Sequence, residues 1–263
     1  MDLELGNKVA LVTAASRGLG AATAHALACE GARVAICARD KAPLCATADR
    51  IAAETGAQTL AIPADVSVAK DVTALVEAVV ARWGRLDILV ANAGGPPPGH
   101  FLDLDAEDWE QAAQLTLMST VHLCYAVVPL MRQQGGGSIL AITSMSVKQP
   151  LDNLILSNSL RLGVVGLVKS LSNELGADGI RVNAICPGWT RTGRVDQLLQ
   201  ARAAKSGLTV EQEAAKITAD IPLGRMAEPE TFARAAVFVA SPAASHITGI
   251  SLLVDGGQYK GAM

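Results

Sequence analysis

The chain is poor in cysteine: five among 263 residues, at positions 29, 37, 45, 124 and 186. They are scattered and form no C-x-x-C pair, which excludes a disulfide framework and a thiolate metal site and suits small core residues of a reduced protein. Positive charge is also short. Twenty-two Lys and Arg against 25 Asp and Glu leave a formal net charge of −3, which argues against a nucleic-acid-binding surface. No apolar run approaches the roughly 20 residues of a membrane span, and MDLELGNK at the start lacks a charged-then-apolar leader. A soluble, cytoplasmic, globular protein without membrane or nucleic-acid partners is expected. Aromatic residues make up 3%, with two tyrosines, Tyr125 and Tyr259.

Apolar residues, in contrast, make up 50% of the chain. Short β-branched or apolar runs occupy 8–13, 33–38, 58–64, 86–93, 138–143, 180–186 and 250–255. Helical patterns fall between them, near 19–30, 42–55, 68–83, 105–133, 154–176 and 228–240. Strands alternating with helices of this length imply crossover units and a parallel sheet, and continuously apolar strands imply burial on both faces. The reading is α/β: a Rossmann-type doubly wound sheet of about seven strands in a single domain, 1–263. GGPPPG at 94–99 follows a strand and reads as a loop at the carboxyl edge, where such sheets bind ligands. A polar, helix-prone stretch at 193–221 breaks the alternation and is expected to be a substrate lid.

The first strand runs into TAASRGLG, 13–20, and then a helix. Gly18 and Gly20, lacking Cβ atoms, let the backbone approach a pyrophosphate at the helix N-terminus. Thr13, Ser16, Arg17, Gly18, Leu19 and Gly20 are therefore candidate cofactor residues. The second strand ends in C-A-R-D, 37–40. An acid at that tip would accept from a ribose 2′-OH, whereas arginine accommodates a 2′-phosphate. Arg39 together with Arg17 favours NADP(H) over NAD(H), although Asp40 could pair with Arg39.

These residues resemble the short-chain dehydrogenase/reductases, especially those like 3-oxoacyl-carrier-protein reductases, over essentially the full length. TAASRGLG matches that family's T-G-x-x-x-G-x-G with Ala14 in place of the first glycine. Asp65-Val66 matches its adenine-side pair, and Asn92-Ala93-Gly94 matches its N-N-A-G motif with Ala91 in place of the first asparagine. Pro187-Gly188, Thr190 and Thr192 match the segment before the lid, and the closing V-D-G-G stands at 254–257. The resemblance implies that all of these face a nicotinamide dinucleotide, and that the chain forms a homo-oligomer, expected as a tetramer, through helices 105–133 and 154–176, with Gly163 and Gly166 permitting close approach.

The family's tetrad is Asn, Ser, Tyr and Lys. Ser144 matches the serine. The tyrosine position, thirteen residues on, holds Ser157, the lysine position four further holds Arg161, and the asparagine position holds Thr116. Neither tyrosine has a lysine four residues on; those places hold Pro129 and Met263. Core or subunit packing is expected of Tyr125, a solvated surface of Lys148, and a surface position near the proline-rich loop of His100. Serine is a weaker acid than a phenol, and a guanidinium does not shuttle protons. Three readings stay open: an NADP(H)-dependent oxidoreductase acting on a small carbonyl or alcohol with Ser144, Ser157, Arg161 and Thr116 at its catalytic centre; an NADP(H)-binding pseudoenzyme serving as sensor or partner subunit; or a non-redox lyase or isomerase using Ser144 and His100.

Overall fold

Strand residues alternate between two apolar environments, and this alternation builds the molecule. In a computed structural model that describes residues 1–262, Val9 and Leu11 of β1 (Val9–Val12) enter one core cluster, while Ala10 and Val12 enter the other. Side chains on a strand point to opposite faces in turn, so apolar residues at both parities require a layer of helices on each side. The first layer is α3 (Ala69–Trp83), α5 (Ser119–Gln133) and α6 (Ile155–Leu175); the second is α1 (Gly18–Cys29), α2 (Lys41–Thr55) and α9 (Pro229–Ala240).

The remaining strands are β2 (Arg33–Ala38), β3 (Thr59–Pro63), β4 (Ile88–Ala91), β5 (Gly137–Ile142), β6 (Ile180–Pro187) and β7 (Ser251–Val254). All seven are parallel in the order β3-β2-β1-β4-β5-β6-β7. The seven strand assignments stand, with ends shifted by one or two residues at most sites. The order reverses at β1, which pairs with both β2 and β4. Loops leaving these two strands diverge, opening a crevice at their carboxyl ends.

Two expectations need correction. The stretch 105–133 is not one regular helix: α4 (Ala106–Ala113) passes through a π-helical segment, Gln114–Met118, into α5. Taken together, Ala106–Gln133 is also long and apolar enough, by length and composition, to cross a membrane, contrary to the expectation that no stretch approaches that length. Its Leu123, Val127 and Met131 are nonetheless buried against the sheet. The 193–221 stretch folds as two helices, α7 (Gly193–Ser206) and α8 (Val210–Ala219), over a third apolar cluster of Met145, Trp189, Val195, Leu199, Ile217, Ile221 and Met226. Thr192 and Thr209 cap their N-termini through side-chain oxygens.

Of the five cysteines, 37, 124 and 186 are buried as expected, but Cys29 is exposed. Tyr125 is 78% exposed on α5, so it is no core residue.

Arg181 on β6 anchors the second layer. Its Nη1 donates to the carbonyls of Val239 and Ile247, and its Nη2 to those of Ala240 and Ser241 and to Ser138 Oγ. The fork thereby satisfies the orphan carbonyls at the C-terminus of α9 and meets the negative end of its dipole. Arg181→Leu is expected to lower the unfolding free energy by about 3 kcal/mol, measured by denaturant titration, because several partly buried acceptors lose their donor together.

Candidate active site

At the point of strand reversal, Thr13 locks the two diverging loops together. Its hydroxyl donates to the Asn92 carbonyl at 2.6 Å and accepts from the Asn92 N–H at 2.9 Å, and the Asn92 side chain donates to the Ala14 carbonyl at 3.3 Å. Ala15 N–H donates to the Cys37 carbonyl, so the same loop is also tied to β2. Ala14 is thereby held at φ +46°, a left-handed conformation that costs an L-residue with a Cβ about 1 kcal/mol or more. Glycine at this place in the motif meets the same backbone demand without strain. Gly20 has another role: a Cβ there would stand 2.5 Å from the Ala14 carbonyl oxygen, so the glycine lets α1 pack onto the loop. Gly18 takes φ +61° opposite the Thr192 methyl.

A single cavity of about 550 Å³ runs along this edge. Of the cofactor candidates, Ser16, Arg17, Gly18, Leu19, Arg39, Asp65, Val66, Asn92, Ala93, Gly94, Arg161, Pro187, Gly188, Thr190 and Thr192 all line it. Thr13 and Gly20 do not; they shape the loop from behind. Among the described residues no side chain caps the N-terminus of α1, leaving its first N–H groups to face the cavity. Arg17 and Arg39 are exposed at the rim, and among the described residues Arg39 forms no ion pair with Asp40. Asp65 Oδ1 accepts from the Ser67 N–H and hydroxyl. Although partial burial raises the pKa of Asp65, those bonds and the Arg39 charge outweigh it and hold the carboxyl below its usual value.

The far end of the cavity collects Ser144, Ser157 and Arg161. Ser144 lies just beyond β5, and its Oγ accepts from the Ser146 N–H at 3.1 Å. Ser157 and Arg161, one turn apart on α6, are both buried. Arg161 donates from Nη1 to the Ile142 carbonyl at 3.0 Å and from Nη2 to the Gly94 carbonyl at 3.4 Å. Burial, with the nearby Arg194 charge, pushes its pKa down to about 10, so it stays protonated at neutral pH. Thr116 stands apart. It lies in the π-helical segment with its side chain buried and its Oγ1 without a hydrogen-bond partner among the described residues, while its neighbour Leu115 lines the cavity.

Arg194 was not legible as a site residue. It sits in the first turn of α7, donates from Nη2 to the Pro96 carbonyl at 2.6 Å and lines the cavity. His100 and Lys148 lie outside this cavity and are exposed; His100 Nδ1 is 3.9 Å from Asp152 Oδ1 and borders a smaller hollow under α7. Tyr259 is held in the C-terminal tail by its N–H to Asp255 Oδ2 at 2.8 Å.

A parallel doubly wound sheet with a cavity at its switch point defines a dinucleotide-binding protein of the Rossmann class. Residues 13–258 match the family model described as enoyl-(acyl carrier protein) reductase. D-threitol dehydrogenase of Mycolicibacterium smegmatis is 37% identical over 256 residues, covering 97% of this chain and 94% of that protein. The crystal structure of L-sorbose reductase from Gluconobacter frateurii, complexed with NADPH and L-sorbose, superposes with a TM-score of 0.94 at 32% identity, over 99% of this chain and all of that one. A 7α-hydroxysteroid dehydrogenase structure holding NADH and 7-oxo glycochenodeoxycholic acid gives a TM-score of 0.88 at 34% identity, covering 100% of this chain and 98% of that one. The chain belongs to the short-chain dehydrogenase/reductase family.

Because Ala14 is held in a left-handed conformation, Ala14→Gly is expected to raise the thermal midpoint, reporting a gain of about 1 kcal/mol. Differential scanning calorimetry of the two chains checks this.

Proposed function

We propose that the chain is a cytoplasmic oxidoreductase using NADP(H) in preference to NAD(H), acting on a small carbonyl or alcohol, with Ser157 and Arg161 where relatives carry tyrosine and lysine. The observation that carries this reading is the continuity of one cavity from Arg17, Arg39 and Asp65 at one end to Ser144, Ser157 and Arg161 at the other, under the α7–α8 lid. The residues present suit the cofactor. The uncapped α1 N-terminus takes a diphosphate, and the open space beyond the Gly94 Cα, where a Cβ would meet nothing within 4 Å, admits a ring. When bound, the nicotinamide supplies or receives hydride.

The chain's own residues do the rest. Arg17 and Arg39 receive a 2′-phosphate at the rim. Arg161, with three of its five N–H donors not used by Ile142 or Gly94, binds nicotinamide ribose hydroxyls. Ser144 and Ser157 donate to the substrate oxygen, and the fixed positive charge of Arg161 stabilises negative charge developing there. The proton comes from water held by these groups, directly or relayed through a serine hydroxyl that takes a proton back from that water, since Arg161 retains its own. Relatives bound to NADPH and to NADH support a nicotinamide cofactor of either kind; the two rim arginines support NADP(H). The family resemblance and the exposure of Tyr125 and Leu162 on α5 and α6 support association into a tetramer through those helices.

A second reading, a cofactor-binding pseudoenzyme, is favoured by one specific observation: the Arg161 fork already holds two backbone carbonyls, a structural task that would retain an arginine without turnover. Binding and turnover separate the two. NADPH is expected to bind at least about tenfold more tightly than NADH, with Arg39→Ala removing most of the difference. Some carbonyl should oxidise NADPH with saturation, and Ser157→Ala should lower kcat by about 10²-fold. Activity appearing only in the Ser157→Tyr/Arg161→Lys double variant identifies the pseudoenzyme instead.

A further inference from the structure

Charge is unevenly distributed along the cavity. Its two acids, Asp40 and Asp65, both lie at the adenine end, near the tips of β2 and β3. At the reaction end the charged lining residues are Arg161 and Arg194, with no carboxylate among them. Neither arginine takes part in any ion pair among the described residues.

The two guanidiniums come from different elements and converge on one tripeptide. Arg161 reaches from α6 to the Gly94 carbonyl, and Arg194 reaches from the lid to the Pro96 carbonyl. Between these anchor points the Arg194 guanidinium lies over Gly95, where a Cβ would stand 3.0 Å from its Nε. Only Nη2 of Arg194 is used by a carbonyl, so most of its five donors remain for a ligand. Burial lowers the pKa of both arginines, and the charge of Arg194 adds to the effect on Arg161. The walls beside them are apolar: Met145, Leu151, Leu154, Trp189 and Leu198. Two like charges in an apolar pocket, Arg161 buried and Arg194 half-buried, repel and lack a counter-charge among the described residues, and arginine's planar fork matches a carboxylate.

We infer that the substrate is an oxo or hydroxy acid whose carboxylate is bound by Arg194, with Arg161 as the second positive charge. This rests on the oxidoreductase reading and narrows its substrate class. A neutral ketone would leave the pair uncompensated, so specificity would follow from the missing counter-charge as much as from the contact itself. The other anion that could reach these residues is the cofactor diphosphate. The diphosphate's own donors are at the α1 N-terminus beside Gly18; because Thr192, the cap of the helix that carries Arg194, lies against Gly18, the test below separates the two anions.

The test uses the full-length protein with saturating NADPH and a series of 2-, 3- and 4-oxo acids, each with its methyl ester. The wild type is expected to favour one acid over its ester by at least about tenfold in kcat/KM. Arg194→Gln should reduce that ratio about tenfold or more, chiefly through KM for the acid, and Arg194→Lys, which keeps the charge, should restore part of it. An ester turned over as well as its acid overturns the inference. So does an Arg194→Gln change that weakens NADPH binding while leaving the acid-to-ester ratio intact, because the arginine then serves the diphosphate. If no carbonyl turns over while NADPH binds, the oxidoreductase reading fails separately, and calorimetric titration of the same acids into the NADPH complex decides the carboxylate site. Saturable binding lost in Arg194→Gln supports it, and no binding overturns it.

Discussion

The Thr13–Asn92 clamp is the constraint from which the site is built. β1 must end and β4 must end at the same level for a crevice to open between their loops, and a threonine hydroxyl that donates to the carbonyl and accepts from the N–H of one residue, Asn92, fixes that level. Once it is closed, Asn92 reaches the Ala14 carbonyl, the loop turns left-handed, and α1 is aimed with its N-terminus at the crevice. The same clamp sets the start of the glycine-rich loop whose Gly94 carbonyl meets Arg161. One buried hydroxyl thus relates the cofactor end of the cavity to its reaction end.

Arg161 closes the opposite side. Buried, and without a carboxylate partner among the described residues, it is stabilised by carbonyl dipoles from the end of β5 and from the loop after β4. Burying a lone cation is costly unless hydrogen bonds and a counter-charge offset it. Carbonyls supply the bonds, and the counter-charge is left to what binds. A lysine in that position would be a compact point charge; the guanidinium instead spans two acceptors at once and braces α6 against the sheet edge.

Much of this was legible in residue order. Strands buried on both faces announce themselves as unbroken apolar runs, and β2 at Arg33–Ala38 falls where its β-branched run does. The cavity lining followed from loops that must leave the carboxyl ends of those strands. What escaped reading depends on through-space geometry. Arg194 lies in a polar lid helix among other charged residues, and nothing in its neighbours distinguishes it from a solvated arginine until the lid folds back over Gly95. Ala14 looks like a conservative exchange, since the strain is in its backbone angle. Thr116 matches a functional position by residue count, but the π-helical turn that carries it has no mark in the residue order.

That turn is irregular, and the irregularity has a consequence for how the chain can change. A π-helical segment holds one residue more than an α-helical path would over the same rise. Deleting one residue within Gln114–Met118 is therefore absorbed locally: the segment closes to an α-helical path and the residues on either side keep their faces. Leu123, Val127 and Met131 stay on the sheet face on which they are buried, and Trp109 and its neighbours in α4 keep theirs. Elsewhere between 106 and 133 a single-residue deletion has no such slack and would turn every residue beyond it by about 100° about the axis. The Thr116 hydroxyl inside that segment, without a hydrogen-bond partner among the described residues, is buried there.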